Sequence, residues 1–180
     1  MIGNDIVDLH LARIQSNWRR RGWLDKICSI SEQKEIYTAQ NPDQTVWKLW
    51  SMKEAAYKAH QRLFLHPPRF NPIDFICIDE TVTIRNNEYI THSEITDNYI
   101  HTIAHQAAVA YNSKAFAKVD FHDKKELFEF ISSWFQVTTS TISLEKDDNR
   151  IPMIKIGDTL TTIPFSYTGH GGYAAYAISI

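Results

Sequence analysis

Residues 45–60 read TVWKLWSMKEAAYKAH and have the length and alanine content of an α-helix. This stretch places an acidic residue, Glu54, among tryptophans, a methionine and alanines. On a helix, Trp47, Trp50, Glu54 and Lys58 recur at three- and four-residue spacings and share a face. Two interpretations remain open from the helix alone. Glu54 either forms a surface pair with Lys58, or lies in a buried site where a metal ion or an opposite charge compensates its desolvation.

The composition is that of a globular protein with a substantial core. Of its 180 residues, 43% are hydrophobic and 12% aromatic, which is enough for one domain or two small lobes. The net charge of −2 gives no reason to expect a nucleic-acid partner. We expect no signal peptide, because Asp5 and Asp8 fall where its apolar run would have to be, and no apolar run approaches the ~20 residues of a membrane span. Cys28 and Cys77 are expected to be reduced core thiols, so we expect a cytoplasmic protein without a membrane partner.

Start and stop signals extend the prediction on both sides of the quoted helix. The expected elements are a strand at residues 2–7, a helix capped by Asp8 and running to about Lys26, a helix at 29–39 and a long helix at 44–64. Ser29-x-x-Glu32 forms a capping box, Asn41-Pro42-Asp43 caps the long helix, and His66-Pro67-Pro68 ends it. Arg19–Arg21 would either face solvent on the first helix or contact an anionic ligand or acidic partner.

From residue 73 the hydrophobic period changes to two, which is typical of strands. We predict strands at residues 73–78, 81–85, 99–105, 151–156, 162–168 and 173–180, a hairpin turn at Asn86-Asn87, and a helix at 120–136. Helices and antiparallel strands in separate runs indicate the α+β class. Because both halves run from helix to strands, we expect two related lobes.

Asp5 is a second acid in an unexpected place, because the interior of a strand disfavours aspartate. It is either a turn or capping acid, or an oxygen ligand that converges with Glu54. Two such carboxylates form the pattern expected for Mg²⁺ holding the phosphates of a substrate.

Two motifs carry a family resemblance. Gly3-Asn4-Asp5-Ile6 resembles the G-x-D-I motif of the 4′-phosphopantetheinyl transferases, and residues 50–58 (WSMKEAAYK) resemble their W-S-x-K-E-A-x-x-K helix. The resemblance implies that Asp5 and Glu54 hold the Mg²⁺ that binds the pyrophosphate of coenzyme A. It further implies that Lys58 stabilises phosphate charge and that Glu54 accepts the proton of the attacking serine.

The C-terminal segment is less similar to the family pattern. Residues 165–175 (FSYTGHGGYAA) resemble a strand-turn-strand whose serine and histidine contact the phosphates of coenzyme A, which implies this role for Ser166 and His170. Thr168 replaces the second serine, Gly169 stands where histidine belongs, and His170 is displaced by one position. Larger members carry a third acid where this chain has Val7. We therefore expect Asp8 to be mainly a helix cap, and water or backbone to fill the third metal position.

The resemblance implies a transferase that moves 4′-phosphopantetheine from coenzyme A to a serine of an apo acyl- or peptidyl-carrier protein. Residues 1–105 resemble the metal-binding lobe and residues 106–180 the second lobe, in the order of a permuted pseudodimer. Such a chain is expected to be a monomer rather than a trimer. The alternative is a non-catalytic homologue that binds coenzyme A or carrier protein, because the serine–histidine segment is altered.

Overall fold

The computed structural model describes residues 1–106, 109–118 and 124–180. Residues 1–106 combine helices with a five-stranded antiparallel sheet in the order β1-β5-β4-β3-β2. The helices are α1 (Leu9–Gln15), α2 (Trp23–Ile27), α3 (Ile30–Thr38) and α4 (Pro42–Phe64). The strands are β1 (Ile2–Asp8), β2 (Ile76–Ile78), β3 (Thr81–Ile84), β4 (Asn87–Ile95) and β5 (Tyr99–His105).

The remaining described residues form two further antiparallel sheets and one helix, α5 (Lys125–Phe135). The strands are β6 (Tyr111–Ala117), β7 (Ile142–Lys146), β8 (Pro152–Ile156), β9 (Thr159–Leu160), β10 (Phe165–His170) and β11 (Tyr173–Ser179). They pair in the orders β10-β11-β6 and β7-β8-β9. The predicted α+β class is confirmed. Among the described helices, none has the length and apolar character needed to cross a membrane.

Gly3 allows α4 to lie directly on β1. A Cβ atom at this position would overlap the backbone oxygen of Ala55 and approach the backbone nitrogen of Ala59 to 2.5 Å. Ala55 and Ala59 are themselves fully buried on the facing side of α4. Small residues on both elements therefore let the strand and helix backbones approach closely, and this contact sets the distance between α4 and β1.

The predicted helix from Asp8 to Lys26 is wrong, because the chain turns after Gln15. Ser16 leaves the helix in an extended conformation, and Gly22 takes a left-handed φ of 74°. Between them, Trp18 turns into the core and donates from Nε1 to Asp43 at 2.7 Å, while Arg19 forms an ion pair with the same carboxylate. A long-range contact to the start of α4 thus overrides local helical periodicity.

The other helix predictions agree better with the structure. The capping box of Ser29 and Glu32 is present, and Asn41 caps α4. α5 spans Lys125–Phe135, whereas residues 120–123 of the predicted helix lie outside the described residues.

Strand boundaries were predicted less well. Strand β2 begins only at Ile76, because Pro72–Asp74 form a turn of 3₁₀-helix. Strand β10 covers Phe165–His170 instead of 162–168. Strands β4, β6 and β7 were not predicted, since their polar residues give them little alternation of hydrophobicity.

Lys53 and Glu32 form an ion pair in the core, with side chains 0% and 1% exposed. The Lys53 Nζ donates to Glu32 Oε2 at 2.8 Å and to the carbonyl oxygens of Ile27, Pro72 and Phe75. Glu32 also accepts the backbone N–H groups of Ser29 and Cys77. This network ties α4 to α3 and to the segment before β2. Cys28 and Cys77 lie buried as free thiols, as expected.

Replacing Lys53 with methionine is expected to lower the free energy of unfolding by about 3–5 kcal/mol, because the carboxylate of Glu32 would remain buried without its counter-charge. Urea denaturation followed by tryptophan fluorescence measures the change. The matched control is Lys48→Met on the same helix, whose pair with Glu80 is solvent-exposed and should contribute about 1 kcal/mol or less. Equal losses for both variants would contradict the importance of the buried network.

Candidate active site

Asp5 lies in the middle of β1, on the face that packs against α4. Its strand pairs with β5, which places Asp5 opposite Thr102. The residue is 5% exposed, so its carboxylate is removed from water and needs partners within the protein. The aspartate that a strand interior disfavours is thus held by contacts across the fold.

Glu54 and Lys58 lie one turn apart on α4, facing Asp5. The Lys58 Nζ is 2.8 Å from Asp5 Oδ1 and 3.3 Å from Glu54 Oε2. The structure therefore brings together the three residues predicted for the site. The Glu54 side chain is 25% exposed, so the acid buried in this group is Asp5, and Glu54 forms part of the wall of a cleft. The expectation of a buried Glu54 is corrected accordingly, because its carboxylate is partly exposed and also pairs with Lys58.

Thr168 on β10 joins the same group from the second half of the chain. Its Oγ1 lies 3.2 Å from Lys58 Nζ and 3.3 Å from Asp5 Oδ1. Lys58 donates to the hydroxyl, and the hydroxyl donates to the carboxylate, so the three side chains form a closed ring of hydrogen bonds. We call Asp5, Glu54, Lys58 and Thr168 the acid–lysine cluster.

One carboxylate oxygen of the cluster has no protein partner. Asp5 Oδ2 is buried and makes no hydrogen bond, although Oδ1 of the same group is engaged twice. Within the described residues, no group of three or more histidine, cysteine, aspartate or glutamate side chains is arranged to hold a metal ion. The carboxylates that lie beside Lys58 in this cluster are those of Asp5 and Glu54.

The charges of the cluster shift one another's protonation. Burial raises the pKa of Glu54, and the neighbouring charge of Asp5 raises it further, against the opposing effect of Lys58. Burial alone would lower the pKa of Lys58, but Asp5 and Glu54 outweigh burial and raise it. At neutral pH the cluster thus holds a firmly protonated ammonium group beside a carboxylate of increased basicity.

Two clefts meet at Lys58. The aromatic cleft, of about 470 Å³, is lined by the acid–lysine cluster, His170, Trp23, Trp47 and Trp50 among others. The basic cleft, of about 450 Å³, includes Lys58, Arg62, Lys124, Lys146, Arg150 and Ser166. Lys58 lines both, so a ligand spanning them would pass the cluster.

Ser166 and His170 line these clefts and also join β10 to β1. Ser166 Oγ accepts the backbone N–H of Asn4 at 3.1 Å, and His170 Nδ1 accepts that of Asp8 at 2.9 Å. In the neutral imidazole of His170 the proton is therefore on Nε2. Ser166 lines the basic cleft and His170 the aromatic cleft, and their contact with a ligand stays a prediction.

Asp8 caps α1, as predicted. Its Oδ1 accepts the backbone N–H of Leu11, and its Oδ2 accepts that of Gly172 in the β10–β11 turn. Burial would raise the pKa of Asp8, but these N–H donors outweigh burial and lower it. Asp8 is thus engaged on both oxygens, and the carboxylate with a free oxygen is Asp5.

The chain matches the family model of the 4′-phosphopantetheinyl transferase superfamily over residues 1–111. It belongs to this superfamily. A search of curated proteins found no match. The matched region contains β1 and α4, and hence Asp5, Glu54 and Lys58, whereas Thr168, Ser166 and His170 lie beyond it.

Sequence reasoning did not place Arg62 and Trp23 on the clefts or Thr168 beside Asp5. Thr168 was considered as a replaced serine and as an alternative contact for coenzyme A, and its contact with Asp5 depends on the packing of β10 against β1. Arg62 continues the spacing of Glu54 and Lys58 by one further turn, a signal that could have been used. Trp23 reaches the aromatic cleft because the first helix ends early, and its ring lies 5.9 Å from that of Trp47.

Replacing Glu54 with glutamine is expected to leave the metal-free protein at least as stable as the parent chain at neutral pH. Because the folded-state pKa of Glu54 is raised, the folded protein binds this proton more tightly than the unfolded chain, and the ionised carboxylate lowers stability. The gain should shrink as the pH falls through that pKa. Urea titrations in EDTA at about pH 7.5 and about pH 4 measure it.

The control for this variant is Glu129→Gln, which alters an exposed Lys–Glu pair of the same i,i+4 spacing on α5. It should change stability little at either pH. A clear loss of stability in Glu54→Gln at neutral pH would make Glu54 a structural partner of Lys58.

Proposed function

We propose that this protein transfers 4′-phosphopantetheine from coenzyme A to a serine of an apo acyl- or peptidyl-carrier protein and releases adenosine 3′,5′-bisphosphate, as a holo-acyl-carrier-protein synthase does. The observation that carries the proposal is the position of Lys58 between two clefts of different character. Coenzyme A likewise consists of a nucleotide and an arm of low charge, joined by a pyrophosphate. Superfamily membership supports this kind of transfer.

The basic cleft fits the nucleotide half of coenzyme A. Arg62 is 8% exposed, and burial lowers its pKa to about 10, yet it remains charged at neutral pH. Lys124, Lys146 and Arg150 add positive charge around it. Such a concentration of cations is suited to the phosphates of a 3′-phosphorylated nucleotide.

The aromatic cleft fits the pantetheine arm, because its tryptophans offer flat apolar surfaces to a flexible, uncharged chain. The rings of Trp23 and Trp50 lie 6.3 Å apart, and the ring of Trp47 packs edge-on against that of Trp23 at 5.9 Å. Both clefts have the volume usual for small-molecule sites. With the arm and the nucleotide so arranged, the pyrophosphate lies against Lys58.

Asp5 and Glu54 fit Mg²⁺. The unpartnered Asp5 Oδ2 is a buried anionic oxygen, and Mg²⁺ in phosphate sites usually takes one or two carboxylates. When bound, the ion would supply charge neutralisation for the pyrophosphate. Asp5 and Glu54 would hold it, with water or backbone at the remaining positions.

The chain's own groups have distinct roles in the proposed transfer. The ammonium group of Lys58 binds the pyrophosphate and stabilises the charge that develops on it. Glu54 accepts the proton of the attacking serine hydroxyl, directly or through a water molecule, from its position on the cleft wall. Because β1, α4 and β10 belong to one chain, we propose that the monomer is complete, and that it acts in the cytoplasm.

A second candidate is a binding protein without turnover. It is favoured by one observation: Ser166 Oγ and His170 Nδ1, the groups expected to contact coenzyme A, already accept backbone N–H groups of β1. The arrangement of the acid–lysine cluster, with Lys58 beside two carboxylates and Asp5 Oδ2 unpartnered, favours the enzyme instead. An assay of transfer separates the two candidates.

Incubation with coenzyme A, Mg²⁺ and several apo-carrier proteins, followed by mass spectrometry, is expected to show added phosphopantetheine on the carrier. Asp5→Asn and Glu54→Gln should each reduce the rate by about a hundredfold or more, because both acids serve one ion. The double variant should lose far less than the product of the single losses. Glu129→Gln is the control, and near-normal rates in both single variants would contradict the metal site.

Replacing Arg62 with methionine is expected to raise the KM for coenzyme A about tenfold with a smaller effect on kcat, because a phosphate contact shared by ground and transition states is uniform binding. Steady-state kinetics measures both constants. Since Arg62 also donates to the carbonyl oxygen of Ile2, a urea titration should accompany them. The control is Arg85→Met on the exposed turn after β3. An unchanged KM would remove Arg62 from the nucleotide site.

A further inference from the structure

The two oxygens of the Asp5 carboxylate have different surroundings. Oδ1 accepts hydrogen bonds from Lys58 Nζ at 2.8 Å and from Thr168 Oγ1 at 3.3 Å. Oδ2 is buried and has no partner. A buried carboxylate oxygen without a partner is costly, so a bound cation or water molecule at Oδ2 would be stabilising. The group that sets this orientation together with Lys58 is the hydroxyl of Thr168.

The position of Thr168 is determined by the two hydrogen bonds that hold β10 against β1. On one side of it, Ser166 Oγ accepts the backbone N–H of Asn4, and on the other, His170 Nδ1 accepts that of Asp8. Both pairs are separated by 162 positions along the chain, so β10 runs alongside β1 in a constant parallel register. Thr168 lies midway between these two contacts and is therefore brought beside Asp5.

Thr168 is itself well enclosed. It is 9% exposed, and its Oγ1 lies within hydrogen-bond distance of two charged groups of the cluster. A buried hydroxyl with an ammonium donor on one side and a carboxylate acceptor on the other has a fixed direction of donation. Asp5 Oδ1 and Lys58 Nζ are thereby held in one arrangement.

We propose that Thr168 is a positioning residue, whose hydroxyl orients Asp5 and Lys58 so that Asp5 Oδ2 is free to bind a divalent cation. The inference rests on the proposed function and extends it. It assigns to the second half of the chain a direct part in building the cation site, outside residues 1–111 that match the family model. The site on β1 and α4 is incomplete without β10.

Thr168→Val removes the hydroxyl and keeps the shape of the side chain. It is expected to weaken cation binding about 10- to 100-fold, as loss of a group that orients a metal ligand usually does. Mn²⁺ is the probe, and its binding to the protein without coenzyme A is followed by electron paramagnetic resonance. Thr168→Ser keeps the hydroxyl and should restore binding. In the transfer assay, Thr168→Val should lower kcat more than it raises the KM for coenzyme A.

The matched control is Thr91→Val. Thr91 is a buried threonine on β4 whose hydroxyl donates to the carbonyl oxygen of Glu80, away from the cluster. It should destabilise the fold about as much as Thr168→Val in urea and leave Mn²⁺ binding unchanged. This comparison separates positioning of the cluster from general loss of a buried hydrogen bond.

Three results would overturn the inference: Mn²⁺ affinity of Thr168→Val within twofold of the parent, no rescue by Thr168→Ser, or no Mn²⁺ binding by the parent chain. The transfer assay tests the proposed function independently of the Mn²⁺ measurement. If no carrier is modified while Thr168→Val still weakens Mn²⁺ binding, the function is wrong and the role of Thr168 stands. If carriers are modified and Mn²⁺ binding is indifferent to Thr168, the function stands and the inference is wrong.

Discussion

The contact between α4 and β1 at Gly3 is the constraint on which the rest of the structure depends. The two backbones approach so closely that a methyl group at position 3 would overlap the helix. Asp5 follows Gly3 by two residues on β1, and Lys58 follows Ala55 by about one turn on α4. The close approach at Gly3 therefore places the aspartate against Lys58. A strand that lay farther from the helix would leave a buried carboxylate without its counter-charge, at a cost of several kcal/mol.

The same helix places two paired lysines, the buried Lys53 and the partly exposed Lys58, in different surroundings. Lys53 is enclosed on one side by Glu32 and backbone carbonyl oxygens, so its network is complete and holds elements together. Lys58, on another face, lies in a cluster where Asp5 Oδ2 remains without a partner. A fully hydrogen-bonded buried network rigidifies a fold, whereas the unpartnered Asp5 Oδ2 leaves a position for a ligand. In α4, therefore, a structural and a candidate functional charge cluster are built from the same motif, K-E-A-x-x-K.

The second half of the chain contributes to the site through β10, the edge strand of its sheet. Strand β1 is at the edge of the five-stranded sheet, and β10 is at the edge of another. Side chains of β10 accept the outward backbone N–H groups of Asn4 and Asp8, which satisfies an edge that would otherwise be exposed. The same register brings Thr168 to Asp5 and sets the aromatic and basic clefts on either side of Lys58. The contact between β1 and β10 thus contributes both to cohesion between the halves and to assembly of the site.

Local signals in the sequence determined the α+β class, the caps of α3 and α4, and the shared helix face of Glu54 and Lys58, because i,i+4 spacing and capping geometry act over a few residues. The association of Asp5 with them, across 53 positions, was implied by the family resemblance and not by any local signal. Only the tertiary structure decided where α1 ends, since Trp18 leaves the helical path to reach Asp43, far along the chain. It also decided that Asp5, and not Glu54, is the enclosed acid, and that Thr168 completes the cluster. The last two outcomes depend on the packing of β1 between α4 and β10. The contact of Thr168 with Asp5 spans 163 positions, and contacts this distant in the chain produce no periodic pattern of hydrophobic residues from which they could be predicted.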